Sequence, residues 1–159
     1  MAIRNIVTQG DSCLEKVCRP VTEFNARLHM LLDDMKETLA AADGAGLAAP
    51  QVGVLRRAAI IVDGEGGYLE LINPEILDRQ GSQDGPEGCL SVPGEYGLVK
   101  RPYKVRVRAQ DRNGQWFEVE GEGLTGRCFC HELDHLDGIL FTQKCDRMLT
   151  EEELETGEF

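Results

Sequence analysis

Apolar positions recur along this chain with two different periods. Phe24, Leu28, Leu31, Leu32, Met35 and Leu39 fall at helical spacing. The stretch predicts an amphipathic helix, with Thr22 or Asn25 as its cap and Gly44 as its stop. "AAIIV" (58–62) and "YLELI" (68–72) read as strands, the second ended by Asn73 and Pro74. Next, "KVRVRAQ" alternates strictly, "DRNG" supplies a turn and "QWFEVEG" alternates again. Together these predict an antiparallel hairpin. Its outward face carries Lys104, Arg106 and Arg108, which reads as a solvated strand face.

A second helix is predicted from Leu124 to Asp137, with Gly126 near its start and Gly138 where a C-terminal glycine cap belongs. At about 100° per residue, Leu124, Cys128, His131 and His135 share one face, while Phe129, Leu133 and Leu136 line the neighbouring one. The histidine face therefore starts in apolar surroundings.

Composition narrows the class. With 159 residues, 42% of them hydrophobic, the chain suits one globular domain, 1–147, followed by an acidic tail, 148–159. "LTEEELETGEF" carries five glutamates in eleven residues and reads as solvated chain or a short frayed helix. A net charge of −11 argues against broad attraction to nucleic acid or anionic lipid. No run of about 18 apolar residues could span a bilayer. Cys13, Cys18, Cys89, Cys128, Cys130 and Cys145 form no pair of CxxC knuckles, and no secretion signal precedes them. Reduced thiols in a cytoplasm follow.

The candidate chemistry lies in "HELDH", 131–135. H-E-x-x-H on a helix brings two imidazoles to one ion and sets the carboxylate of Glu132 beside its open position. A third ligand is required. The metzincin pattern runs on through Gly138 and fails at Phe141, where it needs histidine. A downstream carboxylate would have to come from the 24 residues after His135, whose acidic groups sit in the charged tail. Upstream, Cys89 in "PEGCLSVPG" sits in a turn-rich stretch from which a thiolate could point inward, and it too stays a candidate. Cys130 is turned about 100° from the histidine face, and Cys128, a turn before His131, suits a pocket wall. His29, mid-way along the first helix, reads as a surface or core-edge residue.

Three segments, "GAGLAAPQ" (44–51), "EGCLS" (87–91) and "HELDH" (131–135), resemble in order and spacing the three motifs of the peptide deformylases. "INPEI", "RPYKVRV", "DRNG" and "HLDGILF" are similar too, so the likeness spans about residue 3 to 145. The resemblance implies an α+β fold in which antiparallel β-sheets surround a central metal-binding helix. It implies that Cys89 joins His131 and His135 as ligands of one ferrous ion (Fe2+), for which zinc, nickel or cobalt can substitute. Glu132 would move the proton of the attacking water, and the side-chain amide of Gln51 with the backbone N–H of Leu90 would receive the oxyanion. Gly44, Ala45, Gly46, Gly88, Leu124 and Cys128 would bind substrate, the N-formylmethionyl end of a nascent peptide, from which formate is released. The expected setting is a monomer in a bacterial-type cytoplasm, with no membrane association and no direct nucleic-acid function. Any ribosome contact would be transient, since the basic C-terminal helix of some family members is missing. Two further departures are Cys130, where glutamine is usual, and Gly126, where alanine is. The alternatives are another HExxH metalloamidase or peptidase, and a non-catalytic metal-binding relative.

Overall fold

The computed structural model describes residues 2–159. The first helix, α1, spans Ala26–Ala42. Of the two candidate caps, Asn25 takes the position, its side chain accepting the Leu28 N–H at 3.2 Å. The helix stops one residue earlier than Gly44 would make it. Asp43 itself enters the left-handed region at φ 54°, a conformation that Asp tolerates better than most residues.

Eight strands follow in chain order: β1 (Gly46–Ala48), β2 (Ala58–Val62), β3 (Tyr68–Gln80), β4 (Gln83–Cys89), β5 (Val92–Arg101), β6 (Lys104–Gln110), β7 (Trp116–Glu122) and β8 (Arg147–Met148). Helix α2 (Leu124–Leu136) lies between β7 and β8, and a short helix α3 (Glu151–Thr156) comes after them. One sheet has the order β1-β2-β3-β6-β7 and the other β4-β5-β8. Every pairing within them is antiparallel. The class is thus α+β, as the resemblance implies.

Two stretches depart from the pattern reading. The strand expected to end at Asn73 and Pro74 instead continues to Gln80. A register shift against β6 between Ile72 and Glu75 takes up the two residues, with Asn73 at φ 51°. At such a bulge the missing N–H of proline costs no ladder bond. The Asn73 side chain compensates for the interruption: it accepts the Val21 N–H at 2.8 Å and donates to the Val21 carbonyl and the Gln110 side chain. The second departure is "PEGCLSVPG", which reads as turn-rich. It forms the end of β4, a tight connection and the start of β5, with Cys89 the last residue of β4.

Helix α1 buries Leu32, Met35 and Leu39 against Leu47 and Ile60 of the five-stranded sheet. On the same sheet, α2 sets Phe129 and Cys130 among Ile61, Leu71, Val105 and Val107. Full burial of a side chain such as Phe129 contributes roughly 1.5–3 kcal/mol. A third cluster, Leu14, Val92, Val99, Leu140 and Phe141, closes over the three-stranded sheet. The cationic face of β6 is solvated and pairs across the hairpin with Glu118, Glu120 and Glu122. Such exposed pairs are each worth at most about 1 kcal/mol. Among the described residues, no helix is long and apolar enough to cross a membrane. All six cysteines are free, and α3 buries none of its residues.

Candidate metal centre

Helix α2 reaches the middle of the molecule because its first turn is pressed against backbone. A Cβ on Gly126 would stand 2.9 Å from the Tyr103 carbonyl oxygen and 3.0 Å from that of Gly121. One turn further along, the His131 and His135 rings face each other at 4.9 Å between centroids. The last residue of β4, Cys89, joins them. Ligand atoms of Cys89, His131 and His135 all lie within 4.8 Å of one another, and Cys89 Sγ is 3.3 Å from His135 Nε2. Sulfur and nitrogen bound tetrahedrally to one zinc-sized ion would be about 3.5 Å apart, so this pair is already at ligand spacing.

The surroundings fit a cation as well. His131 Nδ1 is 2.5 Å from Glu87 Oε1, which fixes the ring and turns Nε2 towards the cluster. His135 Nδ1 is buried with no hydrogen-bond partner. Glu87 is held by Arg101, with bonds of 3.1 and 2.6 Å, and by Arg127 at 3.0 Å. Arg101 also donates to Asp134 at 2.7 Å, and Lys144 reaches the other oxygen of Asp134 at 3.1 Å. Glu87, Arg101 and Arg127 are buried charges, tolerable because each is paired and hydrogen-bonded. Burial raises the Glu87 carboxyl, but the hydrogen bonds from His131 and Arg101 outweigh it and bring the pKa down to about 2. Burial likewise disfavours a charged His131, yet Glu132, Cys89 and Glu87 around it overcome that and raise its pKa well above the ordinary value. Surroundings that favour positive charge at this ring also favour a cation at the cluster. His135 goes the other way: burial, with His131 adjacent, lowers it to about 3 and leaves the ring neutral, the form a metal binds.

Glu132 is buried, and its Oε1 has no hydrogen-bond partner. Burial pushes its carboxyl up to about 7. Its other oxygen lies against β1, where a Cβ on Gly46 would meet Oε2 at 2.5 Å. Gln51 sits in a 3-10 turn (Ala49–Val52) and is buried. Its Oε1 accepts the Ala48 N–H at 3.0 Å, and its Nε2 donates to Ser91 Oγ at 3.1 Å and points to Cys89 Sγ at 3.6 Å. The amide is thereby oriented with its donor end towards the cluster. Leu90, half-buried in the connection after Cys89, packs against Gly44, whose Cβ would meet Leu90 Cδ1 at 2.9 Å.

A cavity of about 440 Å³ runs past these groups. Gly44, Ala45, Gly46, Gly88, Leu124 and Cys128, the residues expected to bind substrate, all border it. Leu124 stands at the rim, 79% exposed, while Cys128 is half-buried deeper in the wall, where burial raises its thiol to about 12. His135 lies behind the cluster and does not border the cavity. Cys130 points into the core, and His29 bonds the Arg112 carbonyl at 2.7 Å, away from the cluster. The sequence reading missed Glu87, Arg101 and Arg127, which support His131, and Tyr96, whose ring covers Gly88 so closely that a Cβ there would meet it at 2.5 Å. The glutamate next to "GC" and the arginine heading "RCFCHELDH" were the available signals for two of them.

Comparison with known proteins is consistent across sequence and structure. The family model for polypeptide deformylase matches residues 3–151. The peptide deformylase of Caldanaerobacter subterraneus subsp. tengcongensis is 56% identical over 155 residues, covering 98% of this chain and 97% of the relative. Peptide deformylase 1 of Bacillus cereus is 51% identical over 156 residues, covering 98% and 100%. The crystal structure of a peptide deformylase from Legionella pneumophila superposes with a TM-score of 0.87 at 41% identity, covering 97% of this chain and 90% of that one. The Thermotoga maritima enzyme gives 0.87 at 38% identity, covering 91% and 98%.

Proposed function

The chain belongs to the polypeptide deformylase family, and from that premise we propose that Cys89, His131 and His135 hold one ferrous ion beside which Glu132, Gln51 and Leu90 act. The activity is that of the family, a metal-dependent hydrolase that removes the formyl group from the N-terminus of newly made polypeptides and releases formate. One observation carries the assignment of residues: three soft and borderline donors within 4.8 Å of one another, in a cleft that is also lined by the buried carboxylate of Glu132, whose Oε1 has no hydrogen-bond partner. When bound, the ion supplies a Lewis acid that makes water nucleophilic near neutral pH.

The chain's own groups supply the rest. Glu132, buried in the wall of the cleft with Oε1 free of any hydrogen-bond partner, can take the proton of the attacking water and return it to the leaving amine. The Gln51 amide, fixed by Ala48 and Ser91, offers an N–H to the oxygen of the formyl group as charge develops, and the backbone N–H of Leu90 offers a second. β1 and β4 are edge strands of their two sheets and flank the cleft, so the substrate backbone adds between them as an extended strand. The methionine side chain lies along Cys128, with Ala45 and Leu124 at the opening. Thiolate and imidazole ligands suit zinc as well as ferrous iron; the preference for iron, with zinc, nickel or cobalt as replacements, rests on resemblance to the family. The reading further takes 1–147 as one catalytic domain with 148–159 as its tail. It has the protein acting as a monomer in the cytoplasm, with only transient ribosome contact. Six free cysteines and a net charge of −11 support that setting.

The test measures metal content and formate release from formyl-Met-Ala-Ser on protein purified without oxygen. Glu132→Ala keeps its metal and loses at least ~100-fold in turnover. Cys89→Ala loses the metal, Cys130→Ala retains it, and the iron form of the native chain outperforms its zinc form. Full metal occupancy in Cys89→Ala, or near-normal turnover in Glu132→Ala, would overturn the assignment of that residue.

A further inference from the structure

A second cavity, of about 260 Å³, opens beside the first turns of α1 and shares none of its lining residues with the metal cleft. Its floor is apolar: Val21, Leu28 and Leu31 are buried and Val54 is partly so. Arg4 and the exposed Arg27 and Arg56 also line the cavity, against a single carboxylate, Glu23. That balance is the reverse of the chain as a whole, which has 28 acidic and 17 basic residues.

Only Arg4 is neutralised, by Asp34 at 2.9 Å beneath it. Among the described residues, the side chains of Arg27 and Arg56 make no ion pair, although carboxylates outnumber cations on this protein. Two unpaired guanidinium groups over an apolar floor form an amphipathic recess. We propose that it binds a small organic anion, a carboxylate or phosphate attached to a short apolar body, with the charged head between Arg27 and Arg56 and the body on Val21, Leu28 and Leu31. The planar donor fork of arginine matches carboxylate and phosphate oxygens, while the floor offers contact to the apolar body. The same floor discriminates against a bare hydrated anion, which gains nothing from apolar contact. At about 260 Å³ the recess is a little smaller than the roughly 300–1,000 Å³ of most ligand sites, which limits the body to a short chain or one ring. The site is independent of the assignment of the metal centre.

The experiment titrates the full-length, metal-loaded protein with octanoate, octyl phosphate, inorganic phosphate and octanol, following heat and backbone amide shifts. The expected result is saturable binding of octanoate or octyl phosphate. Their relative strength identifies which head group the site prefers. Shifts should centre on residues 21–31 and 54–56, and inorganic phosphate and octanol should bind far more weakly. In the double variant Arg27→Gln/Arg56→Gln, affinity should fall about 10-fold or more, the worth of one charge-assisted bond. Deformylation of formyl-Met-Ala-Ser should stay at the native level, which also reports that the variant is folded. Four results would each overturn the proposal: no saturable binding of either amphiphile, equal binding of octanol, shifts centred on the metal cleft, or unchanged affinity in the double variant. Should that variant lose turnover, the shift map of the native protein alone decides between the two sites.

Discussion

A Cβ built on Gly46 would stand 2.5 Å from Oε2 of Glu132 and 3.0 Å from its Cδ, closer than atoms of this kind approach. A side chain there has to push the carboxylate, because the Gly46 backbone is fixed by its pairing with Ile61 of β2. Gly46→Ala is therefore expected to keep its metal and lose on the order of 100-fold in kcat, the scale of a misplacement of about 1 Å in a catalytic group. Formate release measured alongside metal content checks this; native turnover in the variant would show that the carboxylate tolerates displacement. Other residues of the site differ in how far the sequence reveals them. His131 and His135 declare themselves by a spacing that puts them on one helix face, and Cys89 by a motif. Glu87, Arg101 and Arg127 do not. Charged residues in a strand or at a helix start read as solvated surface, and only the folded structure shows that both arginines pair with Glu87 where water is excluded.

Among the elements, α2 and the β6–β7 hairpin were readable because each keeps one strict period over seven or more residues. The far half of β3 was not, since its pairing with β6 resumes beyond an Asn-Pro pair that locally ends a strand. β4 and the start of β5 were hidden in the same way by glycine and proline, whose turn preference is overridden by cross-strand bonding over the whole of Gln83–Gly88. At the other end of the chain, the segment around Ala2 and Arg4 is neither helix nor strand and is tied to α1 by side chains. Asp34 accepts the Ala2 N–H at 2.7 Å and Arg4 Nε at 3.0 Å, and Thr38 accepts the Arg4 N–H at 2.9 Å. The Ala2 N–H, and after it Arg4, hold the Asp34 carboxyl below its ordinary value against the opposing effect of burial. A depressed folded pKa means that the stabilisation is complete above the unfolded value, about 3.9, and disappears as pH falls through the folded value. Asp34→Asn is accordingly expected to lower the Tm of the metal-free protein at pH 7. Its gap to the native chain should narrow as the pH is taken below about 3.9. A gap that stays constant over that range would assign the effect of the substitution to packing rather than to charge.

At the scale of the molecule, the two sheets meet at the candidate metal centre. Cys89 closes β4 in the three-stranded sheet, whereas His131 and His135 belong to α2, which is packed on the five-stranded one. An ion bound to all three joins the sheets, much as a cross-link would, and does so only in the folded chain, because nothing in the unfolded chain holds residues 89 and 131 together. Binding that favours the folded state stabilises it by about 2.7 kcal/mol when free metal is 100 times its dissociation constant. For a chain of 159 residues, with roughly 2–4 °C of Tm per kcal/mol, that corresponds to a shift of roughly 5–10 °C. Removing the metal with a chelator is thus expected to lower Tm by about this amount at that metal excess. The same treatment should leave Cys89→Ala unchanged, since that variant has no metal to lose. Calorimetry on matched samples, with metal content followed through chelation, distinguishes the cases. If the native protein lost its metal with no change in Tm, the ion would have to bind the unfolded chain as tightly as the folded one, and the Glu87–Arg101–Asp134 network and the apolar clusters, not the metal, would join the sheets.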